Sequence, residues 1–179
     1  MSVLVIAVHP NLAESKINKA LIEELGKHEQ ITVHTLYEAY PDEVIDVARE
    51  QQLLLAHDRI IFQFPLYWYS SPPLLKKWLD HVLQYGWAYG PNGEHLQGKE
   101  IGVSISAYGT NGQYQADGHN RFTIEELLRP FEATVNFVGA SYLPPFKLYN
   151  VGSLTEEQLE QGKAAYVQHL TSTQLSHAK

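Results

Sequence analysis

Two short segments carry most of the residues that could do chemistry. The first, His9-Pro10-Asn11-Leu12-Ala13-Glu14-Ser15-Lys16-Ile17-Asn18, joins the apolar run Val3 to Val8 to a helical pattern. A helix N-terminus presents free N–H groups and a partial positive charge, so amides and the Ser15 hydroxyl, helped by Lys16, can hold a phosphate there. The second, Pro65-Leu66-Tyr67-Trp68-Tyr69, follows the apolar stretch Ile60 to Phe64 and precedes a helix opened by Ser71-Pro72-Pro73. Its flat faces and backbone amides suit a planar, partly polar ligand. The plain alternatives are that Ser15 only caps a helix, with His9 and Asn18 satisfying local backbone, and that the aromatics are core. Several consecutive aromatics cannot all face inward from a loop, which weighs against the second of these.

A third loop, Tyr108-Gly109-Thr110-Asn111-Gly112, follows the apolar run Ile101 to Ala107. Its amides can bond the polar edge of a heterocycle, although an ordinary glycine-bearing turn has the same composition. His119, followed by Asn120 and Arg121 ahead of a helix, is by default a surface histidine. The chain lacks GxGxxG and GxxxxGK[ST], against a dinucleotide Rossmann domain or a nucleotidase P-loop. Its nine histidines show no HExxH spacing, so no metal site is expected, and no GxSxG elbow supports a hydrolase. With no cysteine, disulfides, thiolate zinc sites and a cysteine nucleophile are excluded.

These loops must be positioned by the elements between them. Val3 to Val8 reads as a strand covered on both faces, Ile31 to Leu36, Arg59 to Phe64 and Ile101 to Ala107 as the second, third and fourth strands, and Ser141 to Leu143 as a short fifth. Between them the pattern turns helical. Ile17, Ala20, Leu21 and Leu25 form one stripe, with Lys16, Asn18, Glu23, Glu24 and Lys27 opposite. Asp46 to His57 is a second helix, and Leu74, Leu75, Trp78, Leu79 and Val82 line a third, capped by Ser71 with Pro72 at its first position. Capping boxes at Thr123/Glu126 and Thr155/Gln158 open two more, the first irregular at Pro130, the second running to about Leu170. Strands alternating with helices imply a single α/β domain over residues 1–179: a five-stranded parallel sheet of flavodoxin-like order 2-1-3-4-5, with helices on both faces. In that order ligands bind where strands one and three diverge, and the first two loops sit there.

Thirteen Lys and Arg against twenty Asp and Glu give a net charge of -7, dispersed along the chain. That argues against nucleic acid or an anionic membrane as partner. No apolar run approaches about 18 residues and no signal-peptide pattern is visible, so a soluble, unprocessed protein is expected, and absence of cysteine is compatible with the cytoplasm.

The stretches HPNLAESKINKAL, FPLYWYSSPPLLKKWLDHVL, YGWAYGPNGEHLQGK and YLPPF resemble the flavodoxin-like NAD(P)H:quinone oxidoreductase family. The resemblance lies nearest the bacterial branch of general stress quinone reductases and ancillary subunits of Kef-type, glutathione-regulated potassium efflux systems. It implies bound FMN, with FAD the alternative, and two-electron hydride transfer from NAD(P)H to a quinone-like acceptor. By it, His9 and Ser15, Lys16, Ile17 and Asn18 hold the phosphate and ribityl chain. Pro65, Leu66, Tyr67 and Trp68 line the isoalloxazine, and Ala107, Tyr108, Gly109 and Thr110 meet its pyrimidine side. Tyr114 and His119 match positions that assist charge redistribution during hydride transfer. Tyr108 and Thr110 depart from the glycines usual in relatives. A homodimer with a shared pocket is implied, and the aromatic segment Tyr85 to Tyr89 would be hidden in it. Two other readings stand beside this one. One is a regulatory subunit of a potassium efflux antiporter, cytoplasmic but peripheral at the inner membrane through that partner. The other is a flavodoxin-type electron carrier, which dispersed charge disfavours.

Overall fold

The computed structural model describes residues 1–173. Its strands are β1 (Val3–Ala7), β2 (Ile31–Thr35), β3 (Arg59–Pro65), β4 (Glu100–Ser106), β5 (Ser141–Tyr142) and β6 (Phe146–Leu148). The helices are α1 (Lys16–Leu25), α2 (Leu36–Ala39), α3 (Val47–Leu55), α4 (Pro73–Val82), α5 (Ile124–Leu127), α6 (Arg129–Phe137) and α7 (Glu156–Thr171). All strand pairs are parallel, in the order β2-β1-β3-β4-β5, with β6 also pairing β4. The expected order holds, and the expected fifth strand is joined by a sixth. Pro144 and Pro145 break the chain after Leu143, because a proline has no N–H for the ladder. Pairing with β4 then resumes at Ser104↔Phe146.

Strand alternation sorts the core into two layers. Leu4, Ile6, Ile60, Phe62, Phe64, Val103 and Ile105 face α2 through α6 on one side. Val3, Val5 and Ile61 face α1 and α7 on the other. β1 and β3 are buried along their whole length, as their near-continuous apolar sequences require.

Several boundaries differ from the sequence reading for local reasons. Leu36, expected to end the second strand, begins the short α2, with its side chain buried. Asp46 is not in a helix; it caps α3, its side chain accepting from the Arg49 amide at 3.0 Å. Ser71 does not cap α4. The N-cap is Pro72, held extended at φ -56°, ψ 148° because Pro73 follows it. Thr123 closes its capping box on Glu126, and the helix expected to bend at Pro130 is two helices parted at Leu128. Thr155 and Gln158 form the second box, and α7 ends at Thr171.

Two buried polar clusters fasten the layers. Fully buried Glu50 on α3 accepts from the Tyr40 phenol at 2.6 Å and the Trp78 indole at 2.8 Å, with His34 Nε2 at 2.9 Å. Burial alone would raise its pKa, and those partners outweigh that effect, leaving it below the ordinary carboxylate value. On the opposite side the buried Arg59 guanidinium donates to Glu100 at 2.6 and 2.8 Å and to the Leu170 carbonyl at 2.6 Å, near the C-terminus of α7. A cation there also suits the helix dipole.

Candidate functional site

The carboxyl ends of β1, β3 and β4 open into a cavity of about 470 Å³. Its first wall is the β1–α1 connection, where a single turn of 3-10 helix, Leu12–Glu14, delivers the chain to Ser15, the N-cap of α1. The Ser15 hydroxyl oxygen accepts from the Asn18 amide at 3.2 Å and from Asn18 Nδ2 at 3.3 Å. A hydroxyl has two lone pairs and one proton, so both acceptor positions are used and the O–H still points to donate. The first amides of α1, at Lys16 and Ile17, have no carbonyl within the helix to meet. One hydroxyl, two amides and the Lys16 ammonium thus form a donor set suited to a phosphate.

The parts assigned to this segment differ from the expected ones. Asn18, expected on the polar face of its helix, is buried, and its Nδ2 also donates to Ser106 Oγ on β4 at 3.1 Å. It braces Ser15 from behind. Ile17 lines the cavity too, though its side chain is mostly buried in the core. His9 is held by the Asn11 amide, which donates to Nδ1 at 3.1 Å. That leaves the proton on Nε2. Burial lowers the His9 pKa, with an opposing backbone hydrogen bond at Asn11, so the ring is a neutral donor near pH 7. Its edge meets the Tyr67 ring, centroids 6.5 Å apart at 67°, joining the first wall to the second.

The second wall is built on β3. Pro65, Leu66 and Tyr67 line the cavity. Beyond them the chain reverses in a two-residue turn, in which the Tyr67 and Ser70 amides each donate to the other residue's carbonyl at 2.9 Å. The central residues are Trp68 and Tyr69, at φ 47° and 64°. Asn-Gly or Gly-Gly normally fills such a turn, because a side chain at positive φ costs on the order of 1–3 kcal/mol. Two aromatic residues hold this conformation here, and the Trp68 side chain is left 92% exposed. The Tyr69 phenol donates to Asn120 Oδ1 at 3.1 Å, across to the loop after β4.

That third loop contributes less directly than expected. Only Tyr108 of the four residues from Ala107 to Thr110 lines the cavity. The Ala107 amide is used by the Leu148 carbonyl at 2.9 Å, and the Thr110 amide by Gln113 Oε1 at 2.8 Å. Gly109 passes so close to Tyr114 that a Cβ would lie 2.8 Å from its ring. Tyr114 is buried behind this loop, its ring tilted by 35° against that of Tyr149 with centroids 6.0 Å apart. Burial first, and the neighbouring Tyr69 second, raise the Tyr114 pKa, so it is a protonated donor. Tyr149 is pushed up to about 12, by burial and then by Glu125 and Tyr114. His119 is exposed, and neither it nor Trp68 or Tyr114 lines the cavity.

The remaining lining residues, Asn11, Glu14, Ser106, Val151 and Gly152, escaped the sequence reading. Ser104 and Ser106, alternating in a buried strand, were the one available signal for a polar function on β4. Gly152 has none. Its role is steric: a Cβ there would sit 3.0 Å from the Tyr108 ring, which lies over it. The arrangement joins a phosphate seat to a proline- and tyrosine-lined slot through one cavity. A flat heterocycle bearing a phosphorylated side chain, such as FMN, fits that donor set and that order of walls.

General stress protein 14 of Bacillus subtilis is 54% identical over 171 residues, spanning 94% of this chain and 98% of that protein. The glutathione-regulated potassium-efflux system ancillary protein KefG of Yersinia pestis is 42% identical, over 95% of this chain and 93% of its own. Among solved structures, general stress protein 14 of Treponema denticola in complex with FMN superposes with a TM-score of 0.87 at 40% identity, covering 95% of this chain and 96% of its own. An NADPH-quinone reductase from P. pentosaceus gives 0.88 at 39%, covering 96% and 99%. The Flavodoxin_2 model, described as a flavodoxin-like fold, matches residues 1–170, and the chain belongs to that family.

Proposed function

We propose that this protein is an FMN-dependent NAD(P)H:quinone oxidoreductase. The observation that carries the reading is the single cavity in which the Ser15–Lys16–Ile17 donor set at the end of β1 faces the Pro65–Tyr67 wall at the end of β3. The FMN complex and the NADPH-quinone reductase among its structural relatives support it. Bound FMN would supply the two-electron chemistry, taking hydride from NAD(P)H and passing electrons to a quinone-like acceptor. The protein's part is to bind, orient and exclude water. Ser15 and the first turn of α1 take the phosphate, His9 offers Nε2–H, and Pro65, Leu66 and Tyr67 flank the ring. Tyr114 and His119 assist from the loop after β4, where a protonated phenol can steady negative charge on the ring's polar edge.

A homodimer belongs to this reading. An apolar groove of about 590 Å³ runs between α4 and α6, lined among others by Leu79, Leu83, Tyr89, Phe131 and Phe137. Phe137 and nearby Tyr85 are 70% and 68% exposed. Apolar surface of this kind is commonly covered by another subunit. Likeness to KefG favours a second, compatible role as the ancillary subunit of a potassium efflux system, cytoplasmic and drawn to the inner membrane only through that partner. Among the described residues no helix is long and apolar enough to cross a membrane.

A spectrum of purified protein reconstituted with FMN, followed by NADH, NADPH and menadione additions, tests the oxidoreductase reading. Flavin absorbance that bleaches with NAD(P)H and returns with menadione is expected. Failure of the protein to bind flavin would remove it.

A further inference from the structure

We infer that Asn120 is a positioning residue: it accepts the Tyr69 hydrogen bond and so holds the left-handed Trp68–Tyr69 turn, and with it the root of the Trp68 side chain, in place beside the ring-binding slot. The functional part of this inference rests on the oxidoreductase reading; the structural part does not.

Three observations carry it. Backbone at positive φ is unfavourable for aromatic side chains, so this turn needs a restraint beyond its own residues. The two Tyr67–Ser70 backbone bonds close only its neck. The Tyr69 phenol reaches 51 residues along the sequence to Asn120 Oδ1, bonding the tip of the turn to a different part of the fold. The anchor is itself fixed. The Asn120 amide donates to the Gln113 carbonyl at 2.9 Å, and the Arg121 amide to the Gly118 carbonyl at 3.1 Å.

The consequence lies in what the turn displays. Trp68 has almost no packing of its own, so the turn fixes where its side chain is rooted beside the slot and leaves the indole to rotate about its own torsions. A turn held in place leaves only the indole torsions to be ordered when a flat acceptor stacks on it; a loose turn must be ordered as well by each acceptor that binds. Asn120 therefore acts on acceptor affinity through Tyr69 and Trp68 and touches no reacting atom. A Tyr114 phenol close to Tyr69 would be disturbed by the same release.

Amide hydrogen exchange on flavin-free protein, read by NMR, tests the restraint directly. Asn120→Leu and Tyr69→Phe should each speed exchange at the Tyr67 and Ser70 amides by about two- to tenfold, which converts to about 0.4–1.4 kcal/mol. Amides of β1 and β3 serve as the internal reference. Asn120→Asp keeps an acceptor oxygen and should restore protection, and the double variant should be no worse than either single one. Tyr69→Phe removes one oxygen atom, so it remains informative even where Asn120→Leu fails to fold. In reconstituted protein with menadione as acceptor, KM should rise by a similar factor while kcat stays within about twofold. Unchanged exchange in Tyr69→Phe, or an Asn120→Asp protein that exchanges like Asn120→Leu, would overturn the inference. An exchange effect in a protein that takes up no flavin would leave the restraint standing and remove the oxidoreductase reading instead.

Discussion

Replacing Ser15 by Ala separates its two jobs. In the flavin-free protein the hydroxyl oxygen accepts from the Asn18 amide at 3.2 Å and from Asn18 Nδ2 at 3.3 Å. Its loss removes a helix cap, worth about 1 kcal/mol of stability. In the proposed FMN complex the same hydroxyl would donate its remaining proton to the phosphate, and a hydrogen bond to a charged group is worth about 1.5–3 kcal/mol. At about 1.4 kcal/mol per decade, that is roughly a 10- to 150-fold rise in Kd for FMN. Urea unfolding of the flavin-free protein reads the first effect, and flavin fluorescence titration reads the second. Ser15→Thr keeps the hydroxyl and should recover most of both. A variant that loses the cap contribution yet binds FMN within about twofold of wild type would refute the phosphate assignment and leave Ser15 a helix cap alone.

Glu50→Ala should lower unfolding free energy by about 3–5 kcal/mol in urea at pH 7, since Tyr40, Trp78 and His34 lose a shared buried acceptor. Because the folded-state pKa of Glu50 is depressed, its contribution is fully present above the ordinary glutamate value and fades as pH falls through the folded value. Acid titrations of stability should therefore be shallower in Glu50→Gln than in wild type. Changing Tyr114 to Phe together with His119 to Ala should slow flavin bleaching by NAD(P)H about tenfold in stopped flow, or about 1.4 kcal/mol, with FMN affinity nearly kept. Equal bleaching rates would reduce both residues to structural roles. Sedimentation at micromolar concentration should give twice the chain mass, and Phe137→Glu should shift the protein towards monomer by placing a charge in the apolar groove.

Those parts of the molecule that depend on contiguous residues could be read before any coordinates. β1 and β3 are unbroken apolar runs, and α1 and α4 carry one apolar stripe each, so the alternation and hence the sheet order followed. The two walls of the cavity were legible because each is a single strand-to-helix connection. What escaped notice depends on distant residues meeting. Asn18 looked like a surface residue until Ser106, 88 positions away, turned out to be its partner. Val151 and Gly152 enter the cavity because β6 carries the chain back alongside β4, and β6 itself is only Phe146-Lys147-Leu148, where the lysine hides the strand and pairs with Glu125. Amides in the Ala107–Thr110 loop were expected to be free for a ligand, but those of Ala107 and Thr110 already have partners within the fold.

The divided outer strand has a consequence for how this protein lives in a crowded solution. β1, β3 and β4 are apolar, β-rich segments of the kind that recruit other chains when a sheet edge is open to them. On the β4 side the edge consists of a two-residue piece and a three-residue piece. Between them stand two prolines, which offer no N–H to an incoming strand. Neither piece is long enough to hold a foreign strand in register, so growth of the sheet on that flank is stopped by its geometry. Salt, which screens surface charge, would leave that barrier untouched.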